Sequence, residues 1–244
     1  VAQRADVTIT SLPNSEIVEA TYLDEGGLVH PSVETTFLEM STIAHATTEA
    51  VAEGVAETPA AILDAPITGG PENSREGTLT GLVGGDEAVF DSAPAQDVLN
   101  ALCSDLHYAG STGAGHAMKL LNNTMSMGNL LLAMETVALG ARYGIDGERL
   151  WEVLGNASAT SVAFESRMPR VLDRDFEAGF SVDFARKDIG LAVEMADDED
   201  FPMVLGGLVH RLYTRASDEG FGEADVGAVV KMFEERPDKR VTGK

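Results

Sequence analysis

Apolar and polar positions follow two different rhythms along the chain. In the first half, short β-branched runs alternate with amphipathic stretches. "ADVTITSL" (5–12) predicts a buried strand. "PNSEIVEATYL" (13–23) opens on proline, asparagine and serine and continues with helical periodicity. The same reading predicts a turn at "DEGGL", a strand over 37–42, a helix over 43–55, and strands over 60–68, 81–85 and 106–110. A helical segment broken near Pro94 covers 86–103. Strands that alternate with helices predict an open, largely parallel α/β sheet.

The second half has no convincing strand. One long helical pattern without proline runs from Ala114 to Tyr143, and helices are expected over 147–155, 160–172, 183–197, 202–219 and 224–235. The tail "ERPDKRVTGK" reads as frayed. The fold class is therefore α/β plus all-α: a partial Rossmann-type sheet over 1–110, then a helical domain over 111–244 that begins with a long interdomain helix. Doubly wound nucleotide domains carry a G-x-G-x-x-G loop after their first strand, and nothing before residue 60 supplies one. The expectation is that the chain enters the sheet partway through.

Composition narrows the classes of function. Hydrophobic residues make up 44% of the 244, enough for packed cores. No apolar run approaches the roughly 18 residues of a membrane span. Residues 1–20 lack the basic start and apolar block of a signal peptide. The single cysteine, Cys103, excludes an internal disulfide and a cysteine-based metal cluster, and a cytoplasmic protein is expected. The net charge of −23, from 40 acidic and 17 basic residues, argues against nucleic acid and anionic membrane as partners. Dispersed acid, with arginine outnumbering lysine 12 to 5, suggests a surface adapted to high salt, as in halophile proteins. An ordinary acidic cytosolic protein is the alternative.

Candidate chemistry centres on "GAGHAMKLLNN" (113–123). Its GAG is a false match to a dinucleotide loop, because the third glycine would fall at Met118 and no acid ends a second strand about 20 residues on. It reads as a helix start, capped by Ser111 or Thr112. Lys119 then lies in about the second turn, with Asn123 one turn on along the same face and Asn122 beside it. Partial burial and the positive helix end would lower the lysine's pKa and let it exchange a proton with an alcohol or carbonyl oxygen. A lysine stem lying along an apolar helix is the competing reading. "DAPITGG" (64–70) ends a strand on a hydroxyl, Thr68, and two glycines whose N–H groups could hold a carboxylate. "SLPN" (11–14) and "ST" (41–42) end two other strands and could floor a nucleotide crevice. In "RKDIGLA" (186–192), Lys187 stands against the dipole of an expected helix start, which hints at a separate task, whereas Asp188 suits it. The five histidines lack metal-ligand spacing, and no G-x-S-x-G occurs.

Taken together, "ADVTITSLPNSEIV", "MSTI", "DAPITGG", "EGTLTGLVGG", "GAGHAMKLLNN" and "FSVDFARKDIGLA" resemble, in order and spacing, the β-hydroxyacid dehydrogenase family of 3-hydroxyisobutyrate dehydrogenase, tartronate semialdehyde reductase and glyoxylate/succinic semialdehyde reductase. The resemblance implies NAD or NADP as cofactor, without choosing between them, and a small-molecule carboxylate, a 3-hydroxyacid or its semialdehyde, as substrate. It implies Lys119 as general acid/base, Thr68, Gly69 and Gly70 as the carboxylate loop, and Asn123 as the substrate-orienting amide. Leu12, Pro13, Asn14, Thr42 and Lys187 become cofactor contacts, and Phe180 and Phe184 help cover the site. Residues 1–110 become an N-terminally incomplete dinucleotide-binding domain and 111–244 a substrate and oligomerisation domain of a homodimer or homotetramer. Asn122 stands where the related 6-phosphogluconate dehydrogenases carry histidine, which favours a small hydroxyacid over a sugar phosphate. The family's glycine fingerprint and ribose-selecting residue would lie upstream of Val1. A non-catalytic fragment of the same family and a redox-silent carboxylate-binding module are the alternatives.

Overall fold

Phe37 and Leu38 are neighbours in one strand, both fully buried, yet they serve different cores. Successive strand residues point to opposite faces, so a sheet covered on both sides needs such runs. The computed structural model describes residues 2–234 and 241–243 and divides the chain into two compact units, Val1–Leu121 and Asn122–Lys244.

The first unit holds one sheet of β1 (Val7–Thr10), β2 (Thr36–Glu39), β3 (Ala61–Asp64), β4 (Ile67–Thr68), β5 (Leu79–Gly85) and β6 (Cys103–Gly110). β1, β2 and β3 run parallel, β5 runs antiparallel to both β3 and β4, and β6 is parallel to β5. The expected strand over 60–68 is broken at Ala65–Pro66. Pro66 has no N–H to give, and its carbonyl accepts from Leu82 N at 3.0 Å. Val18 and Tyr22 of α1 (Ser15–Leu23) and Val51 and Val55 of α2 (His45–Ala56) cover Phe37 on one face. After a short α3 (Gly70–Glu76), the expected 86–103 helix forms as α4 (Glu87–Phe90) and α5 (Ala93–Leu102), with Pro94 in the first turn of the second piece. Ala95 and Leu99 of α5 cover Leu38, Leu63 and Val83 on the other face. Each such large side chain contributes about 1.5–3 kcal/mol by leaving water.

α6 (Ala114–Arg142) crosses from one unit to the next. The division falls at Leu121/Asn122, within α6. The reason is that the first turns of α6 bond to the sheet unit: Gly113 N and His116 N donate to the Asp64 carboxylate, and His116 Nδ1 meets Thr48 Oγ1 at 2.7 Å.

The second unit is helical: the rest of α6, then α7 (Gly147–Gly155), α8 (Val162–Leu172), α9 (Val182–Asp198) and α10 (Val204–Ala216). α10 passes into a π-type turn, Ser217–Phe221, so the helix expected over 202–219 stops early. The helix expected over 224–235 is a tight 3-10 segment, Val226–Phe233, and residue 235 lies outside the described residues. Met127, Leu130, Met134 and Val137 of α6 form the core with Phe164, Met168, Ile189, Tyr213 and Val229. Most of the tail expected to fray also lies outside the described residues, but Val241 is fully buried in this core. Among the described residues, no helix is long and apolar enough to cross a membrane.

Candidate active site

The start of α6 is fixed by a residue 49 positions upstream of Gly113. Asp64, the last residue of β3, is 1% exposed and accepts from Gly113 N at 2.9 Å and His116 N at 3.0 Å. It therefore does what Ser111 or Thr112 was expected to do, with a formal charge at the positive end of the helix. Burial pushes the Asp64 pKa up, and the backbone N–H groups oppose that rise. Gly115 is required by space: a Cβ there would lie 2.5 Å from the carbonyl oxygens of Asp64 and Leu82. Lys119, half-buried, follows one turn later on that same face.

The segment leaving Asp64 carries the other predicted group of this unit. Thr68 ends β4 opposite Thr80 and is half-buried. Gly69 and Gly70 are exposed at the start of α3. Gly70 has φ +77° and open space where a Cβ would stand, so its backbone is accessible to a ligand.

The two loops at the carboxyl ends of β1 and β2 are laced together. Leu12 N donates to Ser41 Oγ at 2.7 Å, and Ala44 N donates to Ser15 Oγ at 3.0 Å. Asn14 uses its side-chain oxygen to cap α1, accepting from Ile17 N at 2.9 Å. Pro13 is exposed, and Leu12, Asn14 and Thr42 are half-buried. Beneath the loops lies Glu39, 1% exposed, bonded to Thr10 Oγ1 and Ser41 N. A nicotinamide dinucleotide fits these residues by their donor set: two polar strand ends side by side, with the N-terminus of α2 left without a side-chain cap next to them.

In the second unit, Asn123 is 7% exposed and its Nδ2 donates to Asp188 Oδ2 at 2.7 Å, while its Oδ1 accepts from Asn122 Nδ2 at 3.1 Å. A carboxylate only accepts, so Asp188 fixes which way the Asn123 amide points. Asp188 Oδ1 also pairs with Lys187 Nζ at 3.0 Å. α9 starts at Val182 with Ser181 as its cap, so Lys187 sits in the second turn rather than at the helix start. The Phe180 and Phe184 rings stack with centroids 6.4 Å apart, and Phe184 is exposed. No group of three or more His, Cys, Asp or Glu among the described residues is placed to hold a metal ion.

Sequence reasoning missed the roles of Asp64 and Glu39 and the bond from Asp188 to Asn123. Each is an acid that ends a strand or follows a lysine, a local pattern shared by many surface carboxylates. Only the apolar residues around Glu39 in "TFLEM" hint at burial.

Residues 1–110 match the model of the NAD binding domain of 6-phosphogluconate dehydrogenase, and residues 113–233 match that of the NAD-binding of NADP-dependent 3-hydroxyisobutyrate dehydrogenase. The 2-(hydroxymethyl)glutarate dehydrogenase of Eubacterium barkeri is 34% identical over 245 residues, covering 100% of this chain and 81% of its own length. The NAD-dependent L-serine dehydrogenase of Pseudomonas aeruginosa is 34% identical over 240 residues, 95% of this chain and 80% of its own. The Mycobacterium tuberculosis 3-hydroxyisobutyrate dehydrogenase, solved with L-serine, superposes with a TM-score of 0.85 at 28% identity, over 96% of this chain and 81% of that one. With both halves matched in order and the strand-end loops in place, the chain belongs to the β-hydroxyacid dehydrogenase family, oxidoreductases that use NAD or NADP.

Proposed function

We propose that this chain oxidises a small 3-hydroxyacid, or reduces the corresponding semialdehyde, with Lys119 as the general acid/base. The observation that carries the reading is the Asp64 clamp. It fixes the start of α6, and with it Lys119, to the strand end from which the Thr68–Gly70 loop departs. Thr68 and the N–H groups of Gly69 and Gly70 hold the substrate carboxylate. Asn123, its amide oriented by Asp188, aligns the β-hydroxyl. Lys119 takes the hydroxyl proton in oxidation and returns it in reduction. Leu12, Pro13, Asn14, Thr42 and Lys187 hold the cofactor, which when bound supplies the hydride acceptor or donor.

The chain acts as a homo-oligomer in this reading. Met125, Leu132 and Leu139 on α6 are 69%, 64% and 57% exposed and seven residues apart, a single apolar stripe. A groove of about 450 Å³ beside it is lined by Leu205, Leu208 and Val209 of α10. The acid-rich composition supports assay in molar KCl.

Initial rates by nicotinamide absorbance, with NAD and NADP, test the function against 3-hydroxyisobutyrate, L-serine, L-threonate and 2-(hydroxymethyl)glutarate, the substrates named by the relatives. Lys119→Ala is expected to lose about 10²–10⁴-fold in kcat. Full activity in that variant, or no turnover of any small hydroxyacid by the unaltered chain, overturns the reading.

A further inference from the structure

We propose that Glu39 is the positioning residue of the cofactor crevice: one buried carboxylate that ties the loops after β1 and β2 to each other. The proposal rests on the reading of Leu12, Pro13, Asn14 and Thr42 as cofactor contacts.

Glu39 is the last residue of β2 and is 1% exposed. A buried carboxylate is costly unless its hydrogen bonds are satisfied, and an apolar residue would fill the space more cheaply. The bonds Glu39 makes all run toward the loops. Oε1 accepts from Ser41 N at 2.6 Å, and Oε2 accepts from Thr10 Oγ1 at 2.6 Å. Ser41 Oγ in turn accepts from Leu12 N at 2.7 Å. Thr10 Oγ1 also lies 2.7 Å from Tyr22 Oη of α1. Because the carboxylate only accepts, Thr10 gives its one proton to Glu39, and Tyr22 must donate to Thr10. A single group thus sets the direction of a chain of bonds that begins on α1, crosses the ends of β1 and β2, and finishes on the backbone of Leu12. The Ala44–Ser15 bond is independent of it and holds the helices α1 and α2 at their starts.

The geometry also says which replacements should work. Glutamine can accept from Ser41 N with Oε1 and donate to Thr10 with Nε2, provided Thr10 turns to donate to Tyr22. The chain of bonds survives with its outer half reversed. Leucine keeps the volume and breaks every link. Ser41→Ala keeps the carboxylate with its bonds to Thr10 and to the Ser41 N–H, and removes the Ser41 hydroxyl that bonds both Glu39 and Leu12 N.

The test is the dissociation constant of NADH and NADPH for the full chain, from nicotinamide fluorescence, beside the KM of the hydroxyacid and amide hydrogen exchange without ligand. Glu39→Leu is expected to weaken the preferred cofactor about tenfold, the effect of losing hydrogen bonds of ordinary strength. Ser41→Ala should move the same constant the same way and guards against a Leu variant that does not fold. Glu39→Gln should stay near the unaltered chain, and the KM of the hydroxyacid should not follow the cofactor constant. The Leu12 and Ser41 amides should lose exchange protection in the Leu variant, while Phe37 and Leu38 keep theirs. A folded Glu39→Leu or Ser41→Ala variant that binds cofactor normally, with the Leu12 amide still protected, overturns the proposal alone. If the unaltered chain binds neither NADH nor NADPH, the cofactor reading falls and the proposal falls with it.

Discussion

Glu39 and Asp64 in the first unit are held by hydroxyls and backbone N–H groups alone, whereas Asp188, Asp225 and Glu234 in the second each face a lysine or arginine. The first four are 2% exposed or less, and the side chain of Glu234 is 5% exposed. The difference follows from what each carboxylate has to position. Neutral backbone donors let a carboxylate fix a loop or a helix start, and the cost is a buried charge with no counter-ion. Cationic partners balance the charge, and at Asp225 and Glu234 they link side chains distant in sequence. In the first unit, Glu39 and Asp64 serve the strand-end loops and the base of α6. In the second, Asp225 gathers Arg167, Arg170 and the backbone of the loop before α9. The two arrangements should respond differently to mutation, acid and salt.

Asp225→Ala should cost most. The carboxylate accepts from Arg167 at 2.9 Å, Arg170 at 3.3 Å, and the N–H groups of Gly179, Phe180 and Gly227 at 3.1, 3.3 and 3.0 Å. Removing one side of a buried pair costs roughly 3–5 kcal/mol, and the partly exposed arginines put this case near the lower end. Trp151, the single tryptophan, packs on the core of the second unit, so its fluorescence during urea unfolding reads that unit. A loss below about 1 kcal/mol would place the pair among surface ion pairs and break the contrast.

Asp64→Asn comes next. The amide keeps the shape but offers one acceptor where the carboxylate offers two, and its NH₂ then faces N–H groups. A loss of roughly 1–3 kcal/mol is expected from the donor left unsatisfied. Exchange protection should fall at Gly113 and His116 first. Uniform loss across the sheet would mean that Asp64 supports the fold as a whole rather than the start of α6.

These carboxylates also mark where the sequence was legible. β1, β2, α1 and α2 follow from alternation and helical period because one local rule decides each of them. The break at Pro66 follows from a missing N–H, which the sequence contains, but the antiparallel pairing of β5 with β3 depends on which strands meet and leaves no local trace. The same holds for the site. Lys119, Thr68 and Asn123 stood out as unusual residues in apolar or glycine-rich surroundings. Their supports did not, because Asp64 reaches Gly113 across 49 residues and Asp188 reaches Asn123 across 65. Ser111 and Thr112 look like caps by every nearest-neighbour rule, and a distant carboxylate took the task.

Acid should separate the units by a smaller amount. Burial holds the pKa of both Glu39 and Asp64 above the usual carboxylate range. The folded state therefore binds protons that the unfolded state has released, and stability falls as pH rises from the usual range through the elevated values. Each group contributes a slope of at most about 1.4 kcal/mol per pH unit within that window. Exchange-derived stability of the sheet core should rise on mild acidification. Glu39→Gln should flatten that slope, while titration of the acid-rich surface, common to both proteins, cancels in the difference. An unchanged slope in the variant would show that Glu39 titrates normally in the folded chain.

The smallest effect sharpens the comparison most, because it varies exposure while keeping the chemistry. Arg149 and Glu152 on α7 form an ion pair at 2.7 Å, nearly the distance of Arg167 to Asp225, but their side chains are 64% and 60% exposed. Water screens such a pair and two mobile side chains oppose its order, so Arg149→Gln should cost no more than about 0.5 kcal/mol. In 1 M KCl the screening length falls to about 3 Å, and that small cost should disappear. The cost of Asp225→Ala should persist in the same salt, because ions do not reach a carboxylate that is 2% exposed. Trp151 fluorescence follows both variants in both salts. If salt erased the two costs alike, solvent would be reaching Asp225, and burial would no longer set that carboxylate apart from a surface ion pair.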